Sequence, residues 1–448
     1  MKKEIWIGLS LALVLLIGTI TYFCISNKEE TLKQVNGRVL MTNEDYVIVQ
    51  DDNDVVYKFK LEDFILEIGD DVVISYTGLL DPNKDIQDIK IKDYARSSTN
   101  KKTESKDGIF KDYYTFAEKK LETMSLDEKI GQLFLVRFPD KDAANIAKQN
   151  GFGGYVLFAR DFQGKTKNEV ISMIKEVQAA SKIPLLIAVD EEGGSVVRVS
   201  SNKNLRDTPF LSPSELYGDG GLERIKEDTV EKSLLLANLG INLNLAPVVD
   251  VSTTPSDYMY SRSLGEDTST TSKFAETVIK ASKGGTVSYT LKHFPGYGNN
   301  PDTHTGSVTD SRTYDSILKN DIPPFRAGIE AGAEAVLVGH NTVTNIDSSN
   351  PASLSIPIHN ILREDLNFTG VIITDDLSMG ATKDIDKKVV KALLAGNDLL
   401  IVTDYEESIK EVKSAVENNK LSEDVINDRV TRILAWKYAK GLLYENQK

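Results

Sequence analysis

The sequence predicts an α/β protein, a (β/α)8 TIM-type barrel preceded by a small β-rich domain and an N-terminal transmembrane helix. Three observations carry this. Eight short apolar runs recur after residue 109, separated by stretches with helical periodicity. Residues 31–95 hold short β-branched and aromatic runs punctuated by Asp, Asn and Gly. An uncharged, Leu/Ile/Val-rich run extends from Ile5 to Ile25.

That first run matches the roughly 20 apolar residues that span a bilayer as a helix. A secretory signal peptide has an apolar region of only about 7 to 15 residues and a small-residue cleavage site. No Ala-x-Ala follows here, and Thr21-Tyr22-Phe23 before Cys24 lacks the small residues of a lipoprotein cleavage site. Lys2 and Lys3 favour the short end staying inside. Residues 1–30 are therefore expected to be an uncleaved signal anchor, single-pass in the cell membrane, with the rest extracytoplasmic.

Residues 31–95 follow as a small β-rich domain. The runs Val35-Asn36-Gly37-Arg38-Val39-Leu40, Tyr46-Val47-Ile48-Val49-Gln50, Val55-Val56-Tyr57-Lys58-Phe59 and Asp71-Val72-Val73-Ile74-Ser75-Tyr76 are strand signals. A barrel of about five short strands fits them, as a spacer or wall-binding module. Residues 96–108 contain no large apolar side chain and read as a linker.

From 109 to 448 the pattern becomes βα. The apolar runs fall at 131–138, 154–159, 184–189, 241–249, 286–291, 335–338, 370–374 and 398–402. Near-continuous apolar runs suit parallel strands buried on both faces. Helical stretches at 167–181, 221–239, 270–283, 314–331 and 383–395 lie between them. Eight such units suggest a closed barrel; a doubly wound open sheet is the alternative.

A net charge of −14 argues against a nucleic-acid partner, which a basic face would serve. The single cysteine, Cys24, excludes an intrachain disulfide and a Cys-based zinc site. No cofactor is implied. Only His293, His304, His340 and His359 can supply imidazole chemistry.

In such barrels function sits on the loops after the strands. Asp190-Glu191-Glu192-Gly193-Gly194 and Arg198 follow the third run, and Asp250 and Ser261-Arg262-Ser263 the fourth. Lys292-His293 and Asp302-Thr303-His304 follow the fifth, His340 the sixth, Asp375-Asp376 the seventh and Asp404 the eighth. Three of the four histidines thus gather at one end. Glycoside hydrolysis needs a carboxylate near the anomeric carbon and a proton donor to the leaving oxygen. Asp375 directly ends an apolar run, with Asp376 competing for its role. Asp302 and His304, two apart on a Gly/Pro/Asn-rich loop, are spaced for a carboxylate to fix an imidazole tautomer.

Lys292-His293-Phe294-Pro295-Gly296 followed by Asp302-x-His304 resembles the signature of glycoside hydrolase family 3 β-N-acetylglucosaminidases. Asp190-Glu191-Glu192-Gly193-Gly194 with Arg198, Asn244-Leu245-Ala246-Pro247-Val248-Val249-Asp250, Ser261-Arg262-Ser263-Leu264-Gly265 and Ile373-Thr374-Asp375-Asp376-Leu377-Ser378-Met379 are similar to its other motifs, in order, over about 109–440. The resemblance implies a retaining exo-hydrolase with Asp375 as nucleophile and the Asp302-His304 pair as acid/base. It implies that Asp190, Arg198, Arg262, Lys292 and His293 hold an N-acetyl-β-glucosaminide. For an exported, anchored enzyme, cell-wall peptidoglycan fragments are the expected source of that sugar. Tyr297 stands where the family often has His, and no second α/β domain follows the barrel motifs before Lys448.

Three other readings stay open. His293, Asp302, His304, His340 and Asp375 would be the ligand set of a metal-dependent barrel hydrolase. A phosphorylase would use the same covalent intermediate with phosphate as acceptor. A catalytically dead wall-binding protein is the reading from outside the enzymes.

Overall fold

The computed structural model describes residues 33–42, 46–51, 55–60, 71–81, 87, 89–98 and 108–444. The anchor expected over 1–30 and most of the linker lie outside the described residues. Among the described residues no helix is long and apolar enough to cross a membrane.

The N-terminal part is one antiparallel sheet. Its strands are β1 (Lys33–Thr42), β2 (Tyr46–Asp51), β3 (Val56–Lys60), β4 (Asp71–Thr77) and β5 (Lys90–Ser98), in the order β3-β2-β1-β4-β5. β5 runs through Ser98, past the expected start of the linker at 96. The edges β3 and β5 do not pair with each other as strands, so the described residues form an open sheet rather than a barrel. Alternation explains how it packs. Val47 and Val49 face a core with Val35, Val39, Phe59, Val72 and Ile74. Tyr46 and Ile48, one residue out of phase, face the other way and pack on Val230 and Leu234 of the helix Pro213–Asn238.

The rest is the barrel. Its strands are β6 (Phe134–Arg137), β7 (Gly154–Leu157), β8 (Leu186–Val189), β9 (Leu243–Asn244), β10 (Ser288–Phe294), β12 (Ala335–Val338), β14 (Val371–Thr374) and β15 (Leu400–Val402). Two short strands, β11 (Thr309–Asp310) and β13 (Thr342–Val343), pair in parallel and tie two of the loops together. The barrel order is β14-β12-β10-β9-β8-β7-β6-β15, with every strand pair parallel. A parallel bridge between Ile373 and Leu399 nearly closes the ring, against the open-sheet alternative.

Each barrel strand begins inside its apolar run, and β10 continues beyond its run to Phe294. Lys292 and His293 are therefore on a strand, not on the loop after it. The cause is backbone pairing: Val249 N–H donates to Lys292 O at 2.8 Å and Gly339 N–H to Phe294 O at 3.0 Å. Several of the helices start where short polar side chains cap them. Thr166 with Glu169 and Ser212 with Glu215 form capping boxes. The helix Pro213–Asn238 departs from helical geometry at Gly220 and Gly221, so its second part starts where periodicity placed it.

One core side chain opposes the fold. Lys437, on the closing helix Glu423–Ala439, is fully buried, and its Nζ donates to Gln132 Oε1 at 2.7 Å. Burial pushes its amine down to about 7. In the unfolded chain the amine titrates near 10.4. Between those values the unfolded chain binds the extra proton, so this residue's contribution makes stability rise with pH. Lys437→Met is accordingly expected to raise Tm by a few degrees at pH 6 and by less at pH 9.5, read by calorimetry. A lower Tm at pH 6 would show that the amine stabilises the fold.

Candidate functional site

The barrel brings the strand-end residues to one mouth. Asp190 follows β8, and its Oδ1 accepts from Lys292 Nζ at 2.8 Å. Lys292 also reaches Glu192 Oε1 at 2.6 Å. Glu192 takes Arg262 through both oxygens, Nε at 2.9 Å and Nη2 at 2.7 Å. Arg198 Nη2 lies 3.7 Å from Asp190 Oδ2. Asp190, Arg198, Arg262 and Lys292 therefore form one charged cluster, with Glu192 as the hub that sequence reasoning did not assign.

The signal for Glu192 was the two-residue spacing from Asp190. On extended backbone, alternate side chains share a side. Glu191, between them, faces away and is fully buried. Its carboxylate accepts from the N–H groups of Arg198 (2.7 Å), Val199 (2.7 Å) and Ser200 (3.2 Å), and so shapes the loop that presents Arg198. Asn244 holds the Glu191 backbone from both ends, at 3.0 and 3.1 Å.

Electrostatics fix the charge states. Burial pushes the Glu192 carboxyl up, but Lys292 and Arg262 outweigh it and hold it far below the usual range. Burial disfavours the Lys292 cation, yet Asp190 and Glu192 more than offset this and raise its pKa. Glu192 and Lys292 therefore stay ionised, and donors are left over on Arg198.

A second group starts at Asp250, which is buried. Its Oδ2 accepts from His293 Nδ1 at 2.8 Å and its Oδ1 from Tyr297 N–H at 2.7 Å. Arg262 Nη2, which can only donate, lies 3.5 Å from His293 Nε2. That makes Nδ1 the protonated nitrogen and turns the Nε2 lone pair toward the cluster. Tyr297 continues the chain of bonds. Its hydroxyl accepts from Thr303 N–H at 2.8 Å and donates to Thr303 Oγ1 at 3.0 Å. The tyrosine that departs from the family pattern thus pins the loop between Asp302 and His304.

On that loop, Asp302 Oδ1 accepts from His304 N–H at 2.9 Å and from His304 Nδ1 at 2.6 Å. Burial raises the Asp302 carboxyl, but these two donors prevail and lower it. The carboxylate therefore only accepts, Nδ1 carries a proton, and Nε2 is left for the mouth. The His304 side chain is 59% exposed, so it is open to a ligand.

The loop after β14 docks on this one. Gly380 N–H donates to His304 O at 3.3 Å and Ala381 N–H to Thr303 O at 3.2 Å. A Cβ on Gly380 would lie 2.6 Å from His304 O and 2.9 Å from Gly306 N. Asp375 and Asp376 head the same loop and separate by their partners. Asp376 accepts from Ser378 N–H (2.8 Å) and Ser378 Oγ (2.7 Å) and from Thr403 Oγ1 (3.2 Å), as a turn carboxylate does. Asp375 Oδ1 accepts only the Asp376 N–H, at 2.8 Å, and among the described residues its Oδ2 has no hydrogen-bond partner. Burial pushes the Asp375 carboxyl up, but the polar groups around it, the Asp376 N–H among them, hold it below its ordinary value.

His340 is buried behind this turn. Its Nε2 donates to the Asp376 carbonyl at 3.0 Å, and its Nδ1 accepts from Ser353 Oγ at 2.7 Å. Burial pushes its pKa down, which keeps this neutral form. It orients the Asp375-Asp376 turn. His359 lies elsewhere, with Nδ1 2.8 Å from Ser355 O and its ring against Gly396. Among the described residues no three His, Cys, Asp or Glu side chains are grouped to hold a metal ion. His293 and His340 each have a ring nitrogen committed to Asp250 or to the Asp376 carbonyl, and the histidines are not arranged as a cage.

Comparisons with known proteins identify the family of the chain. The family described as Glycosyl hydrolase family 3 N terminal domain matches residues 125–436. A Beta-hexosaminidase of Xanthomonas campestris is 31% identical over 282 residues, covering 61% of this chain and 84% of that protein. Beta-hexosaminidase LpqI of Mycobacterium tuberculosis is 29% identical over 328 residues, covering 70% and 83%. A solved glycoside hydrolase family 3 β-N-acetylglucosaminidase from Paenibacillus sp. superposes with a TM-score of 0.67 at 29% identity. It covers 71% of this chain, which spans 63% of that structure.

The docking of the two loops carries a testable consequence. Gly380→Ala sets a Cβ against backbone that has no rotamer to give. It is expected to lower kcat on an aryl N-acetyl-β-glucosaminide by about tenfold or more, since misplacement of about 1 Å costs that much. Tm should fall by no more than about a few degrees. Full activity in the variant would show that the two loops need not be in register.

Proposed function

From the premise that the chain belongs to glycosyl hydrolase family 3, we propose that this β-hexosaminidase-type enzyme is a retaining exo-β-N-acetylglucosaminidase acting on peptidoglycan fragments. The observation that carries the proposal is the docking of the Asp302-His304 pair onto the loop headed by Asp375.

Asp375 has an ionised carboxylate with one oxygen uncommitted. In the proposed first step that oxygen attacks the anomeric carbon. The C1–O bond to the aglycone breaks, and His304 Nε2 gives its proton to the departing oxygen. Asp302 stabilises the imidazolium before transfer and keeps Nδ1 protonated after it. In the second step His304 takes a proton from water, whose oxygen displaces Asp375 from C1. Two inversions give net retention.

Asp190 accepts from sugar hydroxyls, while Arg198, Arg262 and Lys292 donate to hydroxyl and carbonyl oxygens. His293 Nε2 can accept one further hydroxyl. The cell-wall source rests on the expectation that residues 1–30 anchor the chain with the barrel outside the cytoplasm.

Asp375→Ala is expected to lose about a thousandfold or more in kcat on the aryl N-acetyl-β-glucosaminide while keeping its Tm. Unchanged turnover would remove Asp375 from the chemistry. His304→Ala should slow both steps, and the first least when the leaving group is good. The sugar assignment is read by comparing aryl N-acetyl-β-glucosaminide with aryl β-glucoside, where the first should be strongly preferred. Sugar 1-phosphate as the product in phosphate buffer would mark a phosphorylase instead.

A further inference from the structure

The N-terminal sheet has a second contact face, and it leads to the mouth of the barrel. On β2, Val47 and Val49 fill the sheet's own core, which leaves Tyr46 and Ile48 on the outer face. That face is covered. Ile48 is 1% exposed and Tyr46 8%, packed with Val56 of β3 against Val230 and Leu234 of the helix Pro213–Asn238. Burial of an outward-facing isoleucine means that the sheet is packed on this helix and not only tethered to it.

Val230 and Leu234 are four residues apart and share one face of the helix. Lys232 lies two residues from each, just over half of a 3.6-residue turn, and so points to the opposite side. There it is buried, and its ammonium has three partners. Asp228 Oδ2 lies 2.9 Å away, the Glu192 carbonyl accepts at 3.3 Å, and the centroid of the Phe210 ring is at 4.9 Å. The next residue ties the helix to β10, with Ser233 Oγ 3.0 Å from the Tyr289 hydroxyl. The helix is thus held between sheet and barrel, and Lys232 reaches from it to the backbone of the charged cluster.

Glu192 depends on such support. The segment after it turns through two glycines at positive φ, 105° at Gly193 and 62° at Gly194. Its carboxylate holds Lys292 at 2.6 Å and Arg262 at 2.7 Å. Carbonyl and side chain share one Cα, so a shift of the carbonyl moves the carboxylate and both cations. The helix is not fixed from its start either. Its backbone breaks at Gly220 and Gly221, so the part that carries Lys232 is placed by what packs on it.

We propose that the N-terminal sheet is an intramolecular brace for sugar binding, and that Lys232 is the positioning residue that carries it to Glu192. The proposal deepens the exo-β-N-acetylglucosaminidase reading and rests on it for the ligand, a terminal N-acetylhexosamine. Asp375 and His304 stand on the loops after β14 and β10, so loosening the brace weakens binding and spares the chemistry.

The test uses the full chain. Ile48→Lys sets a charge against Val230 and Leu234 and leaves the sheet's own core alone, while Ile48→Val keeps the contact. In Ile48→Lys, KM for the aryl N-acetyl-β-glucosaminide is expected to rise about tenfold with kcat within about twofold of wild type. Ile48→Val should match wild type. Lys232→Met should raise KM by about as much, and the double variant no further than either alone, because both act through one contact. Effects that multiply, or an unchanged KM in Ile48→Lys, overturn the brace. Should Lys232→Met not fold because Asp228 is stranded, Lys232→Met with Asp228→Leu removes both charges and takes its place. Amide exchange gives a readout that needs no substrate. Ile48→Lys should speed exchange over residues 190–198 by about tenfold and leave residues 371–381 as in wild type. Unchanged exchange over 190–198 also overturns the brace. A wild-type enzyme that turns over no N-acetyl-β-glucosaminide sinks the glycosidase reading, and the exchange result then decides the brace by itself.

Discussion

The ammonium of Lys292 between Asp190 and Glu192 is the contact on which the mouth of this barrel depends. It joins the loop after β8 to β10, and Glu192 in turn fixes Arg262 from the loop after β9. Each charge is desolvated, so each is tolerable only while the others stay in place. Removing one partner of such a buried pair costs about 3–5 kcal/mol, because the remaining charge is left uncompensated. A site held this way is set before a sugar arrives, which keeps the entropy of ordering it out of the binding step.

The proposed catalytic groups are held differently. Asp302 and His304 sit on an exposed loop, and among the described residues no buried ion pair includes them. Their register comes from backbone bonds to Gly380 and Ala381 and from the Tyr297 hydroxyl on Thr303. Farther back, Arg312 binds Asp310, Asp321 and the carbonyl of Gly296. A Cβ on Gly298 would meet its guanidinium at 2.5 Å, so the glycine allows the loop to close over the arginine. Burial, opposed by Arg312 and reinforced by Asp250 and Asp310, pushes the Asp321 carboxyl up to about 6. The exposed acid/base pair therefore stands on a buried charged foundation.

Much of this was legible in the chain. Apolar runs of strand length alternating with helical periods gave eight strands, because a parallel strand inside a barrel is apolar on both faces. The Asp302-x-His304 spacing gave a hydrogen-bonded pair, because a side chain two residues back can reach an imidazole across a turn. Less was legible wherever the partner is remote in sequence. Glu192 meets Arg262 and Lys292, His340 meets the carbonyl of Asp376, and Tyr46 meets the helix that carries Val230. The reach of β10 through Lys292 and His293 depended on neighbours at Val249 and Gly339.

By itself the sequence determined the alternation of elements and the set of carboxylates, imidazoles and cations at the strand ends. Local periodicity and spacing are properties of the covalent chain. Tertiary structure alone decided which neighbour faces the mouth: Asp375 with an oxygen free while Asp376 closes a turn, Glu192 inward while Glu191 holds a loop. Among the described residues it also left Arg137 Nε without an acceptor. Such choices rest on which distant N–H groups and charges arrive at each carboxylate, and only the nearly closed ring brings them there.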